Sequence, residues 1–349
     1  MLVVLLIACG MYALGAVMGA PKSQRWTMIA ILFAAVILAL LVLPLENALR
    51  SALGGSVKPY LFLAAFAAVV VGYMQVIKRL RAKVTADESA MPPAKTGTFS
   101  ETELDRYARH IVLREIGGPG QKKLKNAKVL VIGAGGLGAP ALQYLAAAGV
   151  GTIGVIDDDV VENANLQRQV IHRDDGIGTP KVFSAMEAML AQNPHIEVRP
   201  YHRRLDEDSA SELFAEYDVI LDGTDNFDTR YLSNRTAMAL GLPLVSGALS
   251  QWEGQLSIFD AANGAPCYQC IFPQAPAPEL APSCSEAGVI GPLPGVVGAM
   301  MAQETIKLIT GAGAVLRGEM LIYDGLYGET RKMTLKPRAD CPVCGSGAT

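Results

Sequence analysis

Charged side chains are missing from three stretches of this 349-residue sequence: residues 1–20, 26–43 and 59–77 contain no Asp, Glu, Lys or Arg. An ordinary surface helix needs a polar face, so that reading is excluded for each of them. Each is close to the ~20 apolar residues that cross a bilayer. Excess basic charge is also missing. Lys and Arg total 30 against 33 Asp and Glu, a formal charge of −3, which gives no sign of a nucleic-acid surface, and no nucleic-acid partner is expected. Histidine is scarce, and His110, His172, His195 and His202 show no metal-like spacing, so none is given a role. Finally, Ala139-Pro140 follows the glycine-rich run at 133–138 where a Walker-type phosphate loop would carry Lys-Ser/Thr. That class of loop is excluded.

The three apolar stretches predict a membrane anchor over residues 1–81, with spans at about 1–20, 26–43 and 59–77. A cleaved signal peptide is the rival for the first, but it lacks a basic start and two more spans follow. A buried core helix is the rival for all three, opposed by the lack of any polar face. Lys22 and Arg25 separate the first two spans, and Lys78, Arg79, Arg81 and Lys83 follow the third. The next loop sets Arg50 and Lys58 against Glu46. Positive charge on the cytoplasmic side then predicts a multi-pass protein of the inner (cytoplasmic) membrane, with everything after residue 78 in the cytoplasm. Residues 82–98 have linker composition, including Pro92-Pro93. A soluble unit is expected over 99–349.

Five of the six cysteines lie in that second part. Disulfides are disfavoured in a cytoplasmic setting. Cys267-x-x-Cys270 and Cys341-x-x-Cys344 offer four thiolates for a structural Zn²⁺ that would staple distant segments together. A redox role for one pair is the alternative. Cys9 falls in the first span and reads as packing.

From residue 128 to about 250 strand and helix signals alternate, predicting an α/β fold of Rossmann type with a mainly parallel sheet and a zinc-stapled C-terminal part. Val129–Ile132 reads as a buried strand, and Gly133-Ala-Gly135-Gly136-Leu-Gly138 as the turn into an Ala/Leu-rich helix that Gly149 ends. Backbone N–H groups at such a helix start cradle phosphate. Thr152–Ile156 predicts a second strand ending at Asp157-Asp158-Asp159, about 20 residues past the loop, where a carboxylate can hold ribose hydroxyls. Both NAD and ATP contain that ribose. Asn165, Arg168 and Lys181 then stand together to neutralise the β- and γ-phosphates of ATP. Asp225, after the Val219–Leu221 strand, is a candidate for Mg²⁺, which prefers carboxylate plus phosphate oxygens. Further strands are expected at 242–246 and 255–259. The bland readings are a solvated Asp158, a surface salt bridge for Arg168 and a helix cap for Asp225.

Over residues 99–346 the chain resembles the MoeB/ThiF/HesA family, bacterial relatives of ubiquitin-activating enzymes. The matching words are Arg106-Tyr-Ala-Arg109, the glycine loop, Asn165-Leu-Gln-Arg168-Gln169, Thr179-Pro-Lys181, Thr224-Asp225-Asn226, both cysteine pairs and Glu286-Ala-Gly-Val289, in family order. The resemblance implies ATP-dependent adenylation of the C-terminal Gly-Gly carboxylate of a ubiquitin-like sulfur carrier, releasing pyrophosphate, for molybdopterin or thiamine biosynthesis. It implies ribose contacts from Asp157 and Asp159, phosphate contacts from Asn165, Arg168 and Lys181, and a metal-linked catalytic Asp225 beside Asn226. It also implies a homodimer in which Arg109 reaches the neighbour's ATP. Cys284 matches a crossover-loop cysteine that is covalent in some relatives, but no basic neighbour lowers its pKa, and an incidental thiol is the alternative. Residues 288–309 read as a buried helix near the carrier groove, with a fourth membrane span as the rival. No sulfur-transfer domain follows, so a separate sulfur donor is expected. Three other functions remain open: activation of a non-protein carboxylate such as one on modified tRNA, an NAD-dependent oxidoreductase, and a membrane scaffold with a dead nucleotide site.

Overall fold

A computed structural model describes residues 2–44, 46–63, 65, 69–70, 72–75, 99–276 and 287–345. The chain divides into two compact units, residues 1–95 and 96–349. The expected linker at 82–98 lies outside the described residues, as does Cys284.

In the first unit, helices Leu2–Val17 and Lys22–Val42 flank a short turn. Arg25 closes that turn by donating from Nε to the Ala20 carbonyl at 2.6 Å. Val4, Val36, Leu40 and Tyr60 form a small buried cluster. Of the three expected spans, one is matched by a helix of sufficient length. Among the described residues one helix, Gln24–Val42, is long and apolar enough to cross a membrane. Leu2–Val17 has 16 residues, which at 1.5 Å per residue reach about 24 Å, short of the ~30 Å hydrocarbon core. The third stretch is partly outside the described residues. An uncharged run counts residues; the fold decides how many of them stay in one helix.

The second unit is built on one eight-stranded sheet in the order β3-β2-β1-β4-β5-β6-β7-β8. The strands are β1 Lys128–Ile132, β2 Thr152–Ile156, β3 Glu197–Tyr201, β4 Val219–Asp222, β5 Leu244–Leu249, β6 Glu253–Phe259, β7 Glu319–Asp324 and β8 Glu329–Thr334. β1 to β5 pair in parallel, whereas β6 to β8 continue antiparallel. The sheet is thus parallel where the alternating signals predict it, and its antiparallel extension adds strands beyond those expected.

Strand periodicity explains the two cores. Side chains alternate across a strand, so Val129 and Val131 join Val155, Leu221 and Val245 on one face, and Leu130 and Ile132 join Ile156, Ile220 and Leu244 on the other. Helices Gly138–Ala148, Lys181–Gln192 and Pro292–Thr310 cover the first face; Glu207–Phe214 and Phe227–Ala239 cover the second. A strand buried on both faces reads as a continuous apolar run. Gly149 ends the Gly138–Ala148 helix in the left-handed conformation, φ 78°. The Pro292–Thr310 helix buries Leu293, Val297 and Met301 against the sheet, so the rival reading as a membrane span is set aside.

Candidate functional site

Ligand crevices in such sheets form at the carboxyl ends of the parallel strands, where neighbouring connections leave in opposite directions. Here β1 is flanked by β2 and β4, and a crevice of ≈ 1480 Å³ opens over their ends. Gly133, Gly135, Gly136, Asp157, Asp159, Asn165, Arg168, Lys181, Asp225 and Asn226 all line it. Residues expected to act together are therefore brought together.

The glycine loop forms because two of its positions tolerate nothing larger. Gly133 has φ +90°, and a Cβ on Gly138 would fall 1.9 Å from the Gly133 carbonyl oxygen. That approach folds the loop tightly into the start of the Gly138–Ala148 helix.

The Asp157 carboxylate is spent on the backbone. It accepts from the Ala134 N–H at 2.7 Å and the Asp159 N–H at 2.8 Å. Burial raises its pKa against the pull of those amides and of Lys181. Asp159 pairs with Lys181 at 2.6 Å. Arg168 donates to the Ala164 carbonyl at 3.1 Å and the Asn165 side-chain oxygen at 3.3 Å. It has no carboxylate partner among the described residues, so the surface salt bridge does not form. Asn226 takes the helix-cap role, accepting from the Thr229 N–H at 2.8 Å. The cap reading for Asp225 is thereby corrected: Asp225 is exposed to the crevice and has no partner among the described residues.

Two residues that bear on the crevice have no signal in the sequence. His172 is buried beneath the glycine loop, with Nε2 2.9 Å from the Ala134 carbonyl and Nδ1 3.0 Å from Ser184 Oγ. A carbonyl only accepts, so Nε2 carries the proton and Nδ1 accepts from the serine. Burial lowers the His172 pKa, which keeps the ring neutral. Arg230 is buried in the crevice floor. A lone Arg in a helical segment reads as surface. Gln169, inside a quoted motif, has its side-chain oxygen buried without a partner among the described residues.

Arg109 lies exposed on the short Ala108–Ile111 helix and is not among the residues lining its own chain's crevice. Cys267, Cys270, Cys341 and Cys344 do converge. Their sulfurs lie 3.6 Å apart for Cys267 and Cys341, 3.3 Å for Cys270 and Cys344, and 3.9 Å for Cys267 and Cys270. A tetrahedral ion with ~2.3 Å bonds to sulfur would hold its ligands about 3.8 Å apart, so the donor set fits zinc. Burial pushes the Cys267 thiol up. Burial also opposes ionisation of Cys341, but the amides of Cys344 and Val343 and the neighbouring thiols bring it down to about 7.

Residues 107–343 match the ThiF family. The chain is 47% identical over 252 residues to the SAMP-activating enzyme E1 of Haloferax volcanii, covering 72% of this chain and 93% of that protein. It is likewise 47% identical over 255 residues to the sulfur carrier protein adenylyltransferase of Thermus thermophilus, covering 72% and 94%. Among solved structures, E. coli MccB with ATP shares the fold at a TM-score of 0.61 and 23% identity, over 75% of this chain and 85% of that one. The chain belongs to the ThiF family.

Proposed function

We propose that this ThiF-family chain is an adenylyltransferase that uses ATP to activate the C-terminal Gly-Gly carboxylate of a small ubiquitin-like sulfur carrier. The carrier carboxylate attacks the α-phosphate, an acyl–adenylate bond forms, and pyrophosphate leaves. Two anions must meet, so the protein's task is to hold phosphates against cations and aim the carboxylate in line. Asp157 and Asp159 face the ribose, and Asn165, Arg168 and Lys181 take the β- and γ-phosphates. Asp225 holds Mg²⁺, which when bound screens the phosphate charge. The observation that carries this reading is how little Arg168 and Asp225 are committed elsewhere. Arg168 bonds only neutral acceptors, Asp225 bonds nothing among the described residues, and both share a crevice with the glycine loop. The names borne by the two relatives point the same way.

A second copy of the chain supplies Arg109 to this crevice, and the four cysteines hold a structural zinc. The activated carrier serves molybdopterin or thiamine biosynthesis, and a separate protein donates the sulfur. Carrier-dependent exchange of labelled pyrophosphate into ATP tests the activity, and Asp225→Ala should lower it by roughly 10²–10³-fold. No exchange with any carrier ending in Gly-Gly would overturn the assignment.

The first unit anchors the protein in the inner (cytoplasmic) membrane, with the ThiF-like unit in the cytoplasm. What supports this is the apolar surface of its long helix. Only 11% of the Gln24–Val42 window is buried, and Trp26, Ile31, Leu38 and Leu41 are exposed, whereas a core helix would be covered. Alkaline carbonate should leave the protein in the membrane pellet and detergent should release it. Recovery in the carbonate supernatant would reject the anchor.

A further inference from the structure

Three acceptors on two chain segments converge on one buried guanidinium. Arg230, 5% exposed, donates from Nη2 to the carbonyl oxygens of Thr224 and Gly247, the latter at 2.8 Å, and from Nη1 to Ser246 Oγ at 3.3 Å. No carboxylate forms an ion pair with it among the described residues. A guanidinium is costly to desolvate without a counter-ion, so its hydrogen bonds must hold something that simpler packing would not.

The strand register shows what that is. β4 and β5 pair from Ile220–Leu244 to Asp222–Ser246. Beyond that point β4 peels away into the Gly223–Asn226 loop, while β5 continues against β6, Gly247 facing Leu256. The parallel ladder ends at the crevice floor. Arg230 bridges the gap, linking the loop at Thr224 to β5 at Ser246 and Gly247. Thr224 is gripped from its other side as well: Asp222 Oδ1 accepts from its N–H at 3.0 Å and its hydroxyl at 2.7 Å. The residue immediately after this doubly held threonine is Asp225.

We infer that Arg230 is a positioning residue for Asp225: by tying Thr224 to β5 it fixes where the Asp225 carboxylate stands in the crevice. This rests on the reading of Asp225 as the metal-linked aspartate of an adenylation site. Lysine cannot reproduce the effect, because one ammonium lacks the planar fork that spans acceptors on two segments.

The test is a double-mutant cycle on the full-length protein with Arg230→Lys, Asp225→Asn and both together. It reads metal-free ATP affinity, Mn²⁺ affinity in the presence of a non-hydrolysable ATP, and carrier-dependent pyrophosphate exchange. Arg230→Lys should keep ATP affinity and the KM for ATP within about threefold, weaken Mn²⁺ about tenfold and lower the exchange kcat about 50-fold. Added to Asp225→Asn, it should cost less than about twofold more in Mn²⁺ affinity, because both changes remove the same interaction. Full additivity, or loss of ATP and Mn²⁺ binding in parallel, would show a general structural role and overturn the proposal. If Arg230→Lys does not fold, Ser246→Ala removes one contact and should shift Mn²⁺ affinity in the same direction by roughly twofold; no shift would count against the bridge. A parent protein without exchange activity would sink the adenylation reading, while the Mn²⁺ cycle would still decide the role of Arg230.

Discussion

Lys181 Nζ lies 2.6 Å from the Asp159 carboxylate, yet the two ends of this pair differ in surroundings: the lysine side chain is 6% exposed and the aspartate 66%. The cation is fixed by the fold and the anion is the solvated end. A phosphate entering the crevice can therefore share or replace Asp159 as the counter-ion without moving the lysine.

That asymmetry predicts the effect of Lys181→Ala. Removing a preorganised cation from a phosphate-binding site should lower carrier-dependent exchange by about 10²-fold and weaken ATP binding. Calorimetric ATP titration beside exchange kinetics measures both. Unchanged ATP affinity would place the phosphates elsewhere.

Arg109 stands away from its own crevice, so a dimer that shares it should show complementation. Arg109→Ala and Asp225→Ala are each expected to be nearly inactive. After subunit exchange half the dimers are mixed and one of their two sites is intact, so about a quarter of the parent activity should return. Mixtures no better than the separate variants would mean that Arg109 does not act across subunits.

His172 predicts a pH dependence of stability. Its folded pKa lies below the ordinary 6.5, with burial as the main cause. The unfolded chain therefore binds the proton more readily. The stability linked to the neutral ring is fully present above about pH 6.5 and is lost as pH falls from there toward the folded pKa. His172→Gln should flatten the fall in melting temperature between about pH 7 and 5.5. An equally steep fall in the variant would assign the effect to other groups.

The cysteine centre is tied to the crevice wall. Tyr268, between Cys267 and Cys270, donates its N–H to Asn234 Oδ1 at 2.8 Å, on the same helix that carries Arg230. Cys341→Ser should reduce metal content from about one zinc per chain to a small fraction and lower the melting temperature by roughly 5–10 °C. Elemental analysis with calorimetry checks it. Full metal content in Cys341→Ser would contradict the four-sulfur site.

Much of the site is legible in the sequence. The glycine loop, Asp157 and Asp225 sit at or just beyond strand ends, which can be read from apolar runs of four or five residues, while Asn165, Arg168 and Lys181 follow in the loop and helix start after β2. Their convergence follows from the parallel topology those runs imply. β7 and β8 are harder to read. β8 is exposed at every position, so it lacks the buried-face alternation by which strands are recognised. The choice between Asp225 and Asn226 as helix cap is equally hidden, because both side chains can cap and the turn geometry alone decides which one meets the Thr229 N–H.

By itself the sequence determined what depends on neighbours along the chain. It specified the strand–glycine loop–helix unit, the stop at Gly149 and the absence of charge over residues 26–43, because backbone sterics and periodic burial act over a few residues. Tertiary structure alone decided which polar groups find partners. Arg230 spans the end of the β4–β5 ladder, and His172 braces a loop 38 residues away. A buried polar group is stable only when another segment brings its partner, and no spacing within either segment records that meeting.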